Sequence, residues 1–469
     1  MLFSSLEFLL FFMTAFFITY FVAKKRSHRN IILLAFSLVF YAWGEPIYVF
    51  LMVIPIIFNY LFGRVIDKSF ISEKTQQAKN LLILSIITNL AIIGFFKYAD
   101  FAISIVNSIT GTEFSYLNLP LPIGISFYTF QIMTYVIDVY RRQVPVQKNI
   151  LTLGTYNCMF PALVAGPIVR YETIANQLEN RQENMTDFAA GLRRFVAGMM
   201  KKIFIANNMA YLCDTILASS PDRFGALGMW IAIFAFTMQI YFDFSGYSDM
   251  AIGMGRMMGF YYLENFNYPY IAKSVSEFWR RWHISLSTFF RDYVYIPLGG
   301  NRVKYGRWIF NIAVVWLLTG LWHGAAWTFI LWGVYFGALL ILERNFLSKN
   351  LLQVPGLRNI YTIIAFTFGW IIFRADDAAH IAIIVRGMFG AYGAGSLFNL
   401  ASAGTLSYIH IIVAIFSIVC CIPISQKLKK RLENSKVPVL IDVAVAGALV
   451  FCIVQLAIGS YNPFIYFRF

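Results

Sequence analysis

The chain has 469 residues, of which 59% are hydrophobic and 13% are charged. A soluble domain carries roughly 25% charged residues, so this composition excludes an ordinary soluble globular protein and indicates a membrane protein. The formal net charge of +15 comes from basic residues that lie largely in short loops between apolar segments. Such loops orient membrane proteins and meet anionic lipid headgroups, so we expect no nucleic-acid partner.

Apolar runs recur from one end of the chain to the other, and each is close to a full membrane crossing once its flanks are included. They include the segments 8–22, 81–96, 224–241, 308–342 and 437–458. We expect roughly eleven to thirteen transmembrane helices. Basic residues follow the first run rather than precede it, so this run should be a retained helix and not a cleaved signal peptide.

The basic loops predict the orientation of the chain in the plasma (inner) membrane. Lysine and arginine favour the cytoplasmic side. One such loop follows the first run and contains Lys24, Lys25, Arg26 and Arg29. A second precedes the last run and contains Lys427, Lys429, Lys430, Arg431 and Lys436. Both ends of this multi-pass chain are then expected to lie outside.

No linker or internal repeat divides the sequence, so we expect one membrane domain over residues 1–469. Three segments interrupt the apolar pattern. Segment 117–124 contains Pro120, Pro122 and Gly124, and we expect a broken or re-entrant helix there because proline removes a backbone donor. Segment 171–202 is polar enough to be a cytoplasmic excursion.

The third segment, 268–307, is both basic and aromatic. It carries seven basic residues against Glu277 and Asp292. Four apolar residues are spaced by three or four positions, which predicts a stripe on one helix face: Phe278, Trp282, Leu286 and Phe289. We expect this segment to lie in the cytoplasmic interface or to dip into the membrane. A plain positive-inside anchor also explains its charges, but it does not explain His283.

Of the five histidines in the chain, His283 and His323 are the candidates for chemistry. His323 lies near the middle of the apolar run 308–342, where a titratable group is costly and usually faces a polar cavity. A neutral imidazole bonded to a helix carbonyl is the alternative. Acyl transfer from a thioester needs a base for the acceptor hydroxyl and donors for the developing oxyanion, and histidine suits the first task.

Two other groups of residues are assigned structural roles. Asp243 and Asp249 are six positions apart, so they cannot form a carboxylate pair unless the helix breaks at Gly246. Asp243 could instead orient a histidine. The cysteines show no metal-ligand spacing, and we expect no metal site: Cys158, Cys213, Cys420, Cys421 and Cys452.

Four stretches resemble the membrane-bound O-acyltransferase family, in particular the alginate and peptidoglycan O-acetyltransferase membrane subunits of bacteria. They are FPALVAGPIVRY at 160–171, DFSGYSDMAIG at 243–253, FWRRWHISLSTFFRDYVYIPLGGNR at 278–302 and WHG at 322–324. The resemblance implies an all-α polytopic membrane fold: a ring of helices with re-entrant segments around a central tunnel. His323 matches the catalytic histidine of the family. His283 matches a second motif position that is asparagine in many eukaryotic relatives.

The resemblance also implies a substrate and partners. Acetyl-CoA would be the cytoplasmic acyl donor, and no permanently bound cofactor is expected. Arginine binds phosphate through two parallel hydrogen bonds, which makes four residues around His283 candidates for holding the CoA moiety: Trp279, Arg280, Arg281 and Arg291. The acceptor would be an extracytoplasmic polysaccharide. A separate periplasmic SGNH-type esterase or transferase would place the acetyl group on its sugar hydroxyls.

The segment 461–469 is expected to lie outside the membrane. Its aromatic residues alone favour an interfacial belt. The segment also resembles the tyrosine-containing motif of the small companion subunit in the D-alanyl branch, which implies that Tyr466 carries the acyl group. A phenol ester stays activated, but the phenol, with a pKa near roughly 10, needs a base. Tyr461 is the alternative carrier.

Two other functions are alternatives to acetylation. D-alanyl transfer to teichoic acids belongs to the same family, but relatives in that branch usually lack the PLGGNR run found here at 297–302. A transporter or flippase would usually show paired half-repeats with discontinuous helices, and none is evident in the sequence.

Overall fold

The computed structural model describes residues 1–347, 351–423 and 438–465, and within these ranges the regular structure is entirely helical. The α-helices are α1 Met13–Val22, α2 Arg26–Ala42, α3 Val49–Ile71, α4 Thr75–Thr110, α5 Ile125–Tyr140, α6 Ile150–Cys158, α7 Phe160–Leu163, α8 Tyr171–Asn180, α9 Met185–Met200, α10 Asn207–Leu217, α11 Pro221–Met257, α12 Val275–Arg281, α13 Ile284–Phe290, α14 Tyr305–His323, α15 Trp327–Leu342, α16 Leu357–Arg374, α17 Ala378–Met388, α18 Leu397–Ser402, α19 Tyr408–Cys420 and α20 Pro438–Ala457. π-helical turns lie at Glu7–Phe12, Lys201–Ala206, Arg291–Tyr295 and Glu343–Leu347. Two 3-10 turns lie at Pro269–Ile271 and Leu351–Gln353.

Several helices have the length and composition of membrane spans. Within the described ranges, five are long and apolar enough to cross a bilayer, and they include α3, α4, α11 and α20. Three shorter apolar helices accompany them, one of which is the first apolar run, Glu7–Val22. The prediction of an all-α polytopic membrane protein is therefore confirmed. The expected number of crossings stays a prediction.

The structure corrects the expected helix pattern in three places. Segment 117–124 is not a broken helix but irregular chain, and helix α5 begins only after Gly124, whose φ of 74° ends the loop. The apolar run 308–342 is two helices, α14 and α15, separated at Gly324–Ala326. The predicted stripe in segment 268–307 is fully buried, but the helix is interrupted at Trp282 and His283, which separate α12 from α13.

The first compact unit comprises Met1–Phe195 and Tyr247–Leu263. Helix α5 is its core helix, because every residue from Ile125 to Val139 is buried. The Glu183 carboxylate binds both Arg26 and Arg29, the latter at 2.7 Å. This ion cluster joins the beginning of α2 to segment 171–202, and both were expected on the cytoplasmic side.

The second compact unit comprises Val196–Gly246 and Glu264–Phe469. Helices α14 and α15 pack so closely in it that side chains are excluded at two crossing points. A Cβ on Gly320 would clash with the Phe329 carbonyl oxygen, and one on Gly333 with the Trp316 carbonyl oxygen. Small residues at such positions let apolar helices approach each other, which supplies packing energy where lipid provides no hydrophobic drive.

Helix α12 is fixed at its beginning by two caps. The Ser274 hydroxyl accepts a hydrogen bond from the Glu277 amide at 3.0 Å. The buried Glu343 carboxylate, at the end of α15, accepts from the amides of Val275 and Ser276. A carboxylate at a helix N-terminus satisfies free amide groups and opposes the positive end of the helix dipole. Glu343 therefore fixes the beginning of α12 to the end of α15, the helix that follows His323 in the chain.

Helix α11 continues through Gly246, and its one non-helical residue is Gly225. The two aspartates on it have different partners, as their spacing predicts. Asp249 binds Arg194 at 2.8 Å, and Asp243 binds Lys202 at 2.8 Å. Asp243 therefore forms an ion pair and does not hold either candidate histidine.

Candidate active site

His323 is the last residue of α14, where the chain turns before α15 begins. Its imidazole is half-buried and surrounded by aromatic rings. Trp332 and Phe373 present their edges to it, with centroids 5.0 Å and 5.2 Å away, and Trp322 lies at 5.0 Å. A helix end places this side chain where backbone hydrogen bonding stops and two packed helices diverge.

A small cavity opens beside the His323 ring. Its volume is about 20 Å³, and it is lined by Ile240, Phe244, Trp282, His323, Trp332, Trp370, Phe373 and Ile465. A cavity needs roughly 10–15 Å³ to hold one water molecule. The cavity therefore has room for about one water-sized group next to the histidine.

Trp332 adds a polar group to this mostly apolar lining. The residue is 1% exposed, and no described residue accepts a hydrogen bond from its indole N–H. A buried donor without an acceptor costs free energy unless a ligand supplies one. Within the described part of the chain, the Trp332 N–H is thus a buried, unsatisfied donor on a residue that lines the cavity.

His283 lies between α12 and α13 in a left-handed conformation, with φ 43° and ψ 55°. Non-glycine residues in this region are strained and cluster at functional sites. Asn265 fixes the turn, because its backbone carbonyl accepts from the Ile284 amide at 2.9 Å and its side-chain oxygen lies 3.2 Å from His283 Nδ1. The Ser285 hydroxyl donates to the same Asn265 oxygen at 2.9 Å.

Burial changes the acid–base behaviour of His283. Its side chain is 1% exposed, and desolvation lowers the pKa of His283 from its ordinary value of 6.5 to about 3. The imidazole is therefore neutral at physiological pH. A base with so low a pKa is a poor proton acceptor, since general bases work best with a pKa near the operating pH. The geometry assigns hydrogen bonding and orientation to His283 rather than proton transfer.

The two histidines are neighbours within the same unit. The Trp322 ring lies 5.7 Å from His283 and 5.0 Å from His323. Phe244 packs its edge against His283 at 4.6 Å and also lines the His323 cavity. The fold therefore brings together the two candidate histidines of separate motifs, and their catalytic roles stay predictions.

The four residues expected to hold the donor occupy different environments. Arg281 is paired with Glu277 at 2.8 Å, and Arg291 with Asp292 at 2.6 Å. Arg280 is exposed. Trp279 packs in the aromatic core, with its ring centroid 5.0 Å from Trp316 and 4.8 Å from Phe336. Arg280 is thus a surface guanidinium open to a phosphate, whereas Trp279 has a packing role in this structure.

Tyr466 lies outside the described residues, so its expected role stays a prediction. The residue before it is described: Ile465 is 5% exposed and lines the cavity that contains His323. Its amide donates to Asp243 at 2.9 Å.

Sequence reasoning missed Asn265, Trp332 and Lys202. Asn265 precedes His283 by 18 residues, and no local pattern connects them. Trp332 looks like one more apolar residue of a span. Lys202 carried a signal, since it is followed by the apolar run Ile203–Ala206 and a lysine in such a setting needs a buried partner.

Comparisons with known proteins identify the family. The model of the membrane-bound O-acyltransferase family matches residues 69–375, a range that contains both histidines. A probable alginate O-acetylase of Azotobacter vinelandii is 37% identical over all of both chains. A peptidoglycan O-acetyltransferase of Helicobacter pylori is 34% identical over 84% of this chain and 80% of its own length. A teichoic acid D-alanyltransferase of Bacillus subtilis is 30% identical over 50% of this chain and 61% of its own.

A half-buried histidine at a helix end, a second histidine oriented one ring away and a family match across both lead to one conclusion. The chain belongs to the membrane-bound O-acyltransferase family and is an integral membrane acyltransferase.

Proposed function

We propose that this chain takes an acetyl group from cytoplasmic acetyl-CoA and passes it across the plasma (inner) membrane for O-acetylation of an extracytoplasmic polysaccharide. Peptidoglycan and alginate-like exopolysaccharides are the candidate acceptors. The similarity to a probable alginate O-acetylase along the full chain supports acetyl transfer. The D-alanyltransferase relative shares only half of the chain, which makes teichoic acid the weaker candidate.

The observation that carries the proposal is the His323 cavity of about 20 Å³. It provides space for a water-sized group directly beside His323, where a hydroxyl can meet the base. His323 takes the proton of the attacking hydroxyl as its oxygen bonds to the thioester carbonyl carbon. The Trp332 N–H stabilises the oxygen of the tetrahedral intermediate. The carbon–sulfur bond then breaks, and His323 returns the proton to the leaving sulfur of CoA.

The basic segment 268–307 is the proposed entry side for the donor. Arg280 is exposed on α12, whose other face carries Phe278 into the aromatic core behind the cavity. A CoA phosphate would compete with Glu277 and Asp292 for Arg281 and Arg291. Exposed ion pairs of this kind are worth little, so a multivalent phosphate group can displace them.

Tyr466 is the proposed first acceptor. It follows directly in the sequence after Ile465, a wall residue of the cavity. Attack by the phenol would give an acetyl-tyrosine and release CoA. The ester would then pass its acetyl group to a serine of a separate periplasmic SGNH-type protein, and from there to sugar hydroxyls.

The proposal is tested by replacing His323 with alanine. Membrane vesicles from producing cells are supplied with radiolabelled acetyl-CoA, and acetyl incorporated into polysaccharide is measured. Loss of a general base predicts a decrease of about a hundredfold or more for His323→Ala. His28→Ala is the matched control, because His28 is exposed at the start of α2, and it should retain full incorporation.

Membrane insertion and protein level should be unchanged in both variants. Near-normal acetylation in His323→Ala would contradict the assignment of His323 as the general base. Incorporation from a D-alanyl donor but not from acetyl-CoA would assign D-alanyl transfer to teichoic acids as the function of the chain.

A further inference from the structure

The segment that precedes Tyr466 is held in the second unit by a row of polar contacts. We call residues 461–465 the tail. The Tyr461 hydroxyl donates to Asp214 at 2.8 Å, and the Asn207 amide donates to Asn462 at 3.2 Å. Lys202 donates to the Pro463 carbonyl, and the Ile465 amide donates to Asp243 at 2.9 Å. The tail is therefore anchored along its length.

Three of the four anchoring residues come from one continuous helical stretch. Lys202 lies in the π-helical turn Lys201–Ala206, while Asn207 and Asp214 lie in α10. Positions 207 and 214 are seven apart, two helical turns, so they share one face. π-helical turns are rare and frequently mark functional sites, because they rotate a side chain out of the regular register. Here the turn contains the lysine that meets the tail.

The innermost anchor is a buried ion pair. Lys202 and Asp243 lie 2.8 Å apart, and their side chains are 3% and 1% exposed. Removing two charges from water is costly, and a buried pair is often no more stabilising than two apolar side chains of similar size. Packing alone therefore does not account for this pair.

The pair does make contacts that apolar residues could not make. Lys202 Nζ binds Asp243 and also the Pro463 carbonyl, while the Asp243 carboxylate binds Lys202 and also the Ile465 amide. Both charged groups thus bond the backbone of the tail on either side of Phe464. Phe464 is itself 6% exposed and lies 5.8 Å from Lys202 Nζ.

We propose that Lys202 and Asp243 are positioning residues for acyl transfer, whose ion pair holds the tail so that Ile465 closes one wall of the His323 cavity. The expected effect on acyl transfer rests on the proposed function. The anchoring of the tail is a claim about the fold alone and does not depend on that function. Loss of the pair should free the tail and slow transfer out of the cavity, while donor binding on the side of segment 268–307 is unchanged.

The test uses the double variant Lys202→Met/Asp243→Leu. Removing both charges together avoids an isolated buried charge, so the variant is expected to fold. Anchoring is measured in detergent as the rate at which N-ethylmaleimide labels Ile465→Cys, in a chain whose five native cysteines are replaced. Loss of two hydrogen bonds predicts an increase in labelling rate of about tenfold or more.

Transfer is measured with radiolabelled acetyl-CoA in membrane vesicles. We expect the maximal rate to fall about tenfold or more while KM for acetyl-CoA is unchanged, since the donor contacts remain. Arg194→Met/Asp249→Leu is the control, because it removes a partly buried ion pair that lies in the other unit; its labelling and transfer rates should equal those of the wild type. Lys202→Met/Asp243→Asn keeps an acceptor for the Ile465 amide, so its labelling and transfer rates should lie between those of the wild type and the first variant.

Each result decides the proposal. Wild-type labelling in the double variant would show that the pair does not anchor the tail. Faster labelling with a wild-type transfer rate would show that the anchored tail does not position anything for the reaction. Absence of acetyl transfer in the wild-type chain would contradict the proposed function, whereas the labelling rates would still report on the anchor.

Discussion

His283 and His323 carry the same side chain in opposite environments. His323 is half-buried at a cavity, whereas His283 is 1% exposed and bonded to Asn265. Burial lowers the pKa of His283 to about 3, so the imidazole of His283 is neutral at physiological pH. A neutral imidazole bonded to Asn265 suits hydrogen bonding and orientation.

The low pKa of His283 predicts an acid-sensitive stability. In the unfolded chain His283 binds a proton below about pH 6.5, whereas the folded chain resists protonation down to about pH 3. Stability is therefore lost as the pH falls below 6.5, by about 2 kcal/mol at pH 5 if one pKa unit is worth about 1.4 kcal/mol. The His283→Asn variant does not titrate. Thermal unfolding in detergent between pH 5 and pH 8 should show a smaller loss for the variant than for wild type. Equal pH dependence of the two proteins would contradict a neutral, buried His283.

At the scale of elements, both histidines sit at interruptions between helices. His283 separates α12 from α13, and His323 ends α14 before α15 begins. Irregular backbone is tolerated at membrane depth only where it is buried in protein or lines a cavity. Glu343 and Ser274 cap the beginning of α12, the helix that ends just before His283. The interruption at His283 is therefore supported by residues that lie outside the turn itself.

The orientation of the basic segment is testable at Tyr305, the first residue of α14, which is 57% exposed. A cysteine at Tyr305, in a chain without native cysteines, should react with an impermeant maleimide only from the cytoplasmic side. Ile458 follows α20 and is 68% exposed. A cysteine there is the matched control and should react only from outside. Labelling of Tyr305→Cys from outside and of Ile458→Cys from the cytoplasm would show that the topology is the reverse of the one expected. Labelling of Tyr305→Cys from outside would also contradict the proposed cytoplasmic entry of the donor.

At the scale of the whole molecule, the sequence predicts the helical class and the chemistry better than the positions of individual helices. Apolar runs and the WHG motif depend on local composition, so they are readable directly. The break at His283 was missed because the stripe of Phe278, Trp282, Leu286 and Phe289 keeps a helical period across it. The contact of Lys202 with Pro463 joins residues 261 positions apart. A contact between residues so distant in the chain cannot be predicted from a single sequence.

The proposed carrier is tested by Tyr466→Phe, which keeps the aromatic ring and removes the hydroxyl. If Tyr466 accepts the acetyl group, this variant should lose polysaccharide acetylation by about a hundredfold or more, because the acceptor oxygen is absent. Tyr461→Phe removes the hydroxyl that binds Asp214 and leaves the proposed carrier in place, so it should retain most activity. Acetyl content is measured as base-released acetate from purified polysaccharide. A wild-type rate in Tyr466→Phe would mean that acetyl passes directly from CoA to the partner protein.

The size and lining of the His323 cavity also affect hydrolysis, the unproductive transfer of the acyl group to water. A histidine that activates a hydroxyl also activates water, so hydrolysis of acetyl-CoA is the side reaction that such a site must suppress. With a volume of about 20 Å³ the cavity has room for roughly one water molecule, and seven of its eight lining residues are aliphatic or aromatic. An ordered water usually needs two to four polar partners, so a water molecule here is held weakly and an acyl group displaces it at little cost. In the proposed reaction, the dryness of this pocket would protect the cell's supply of activated acetate.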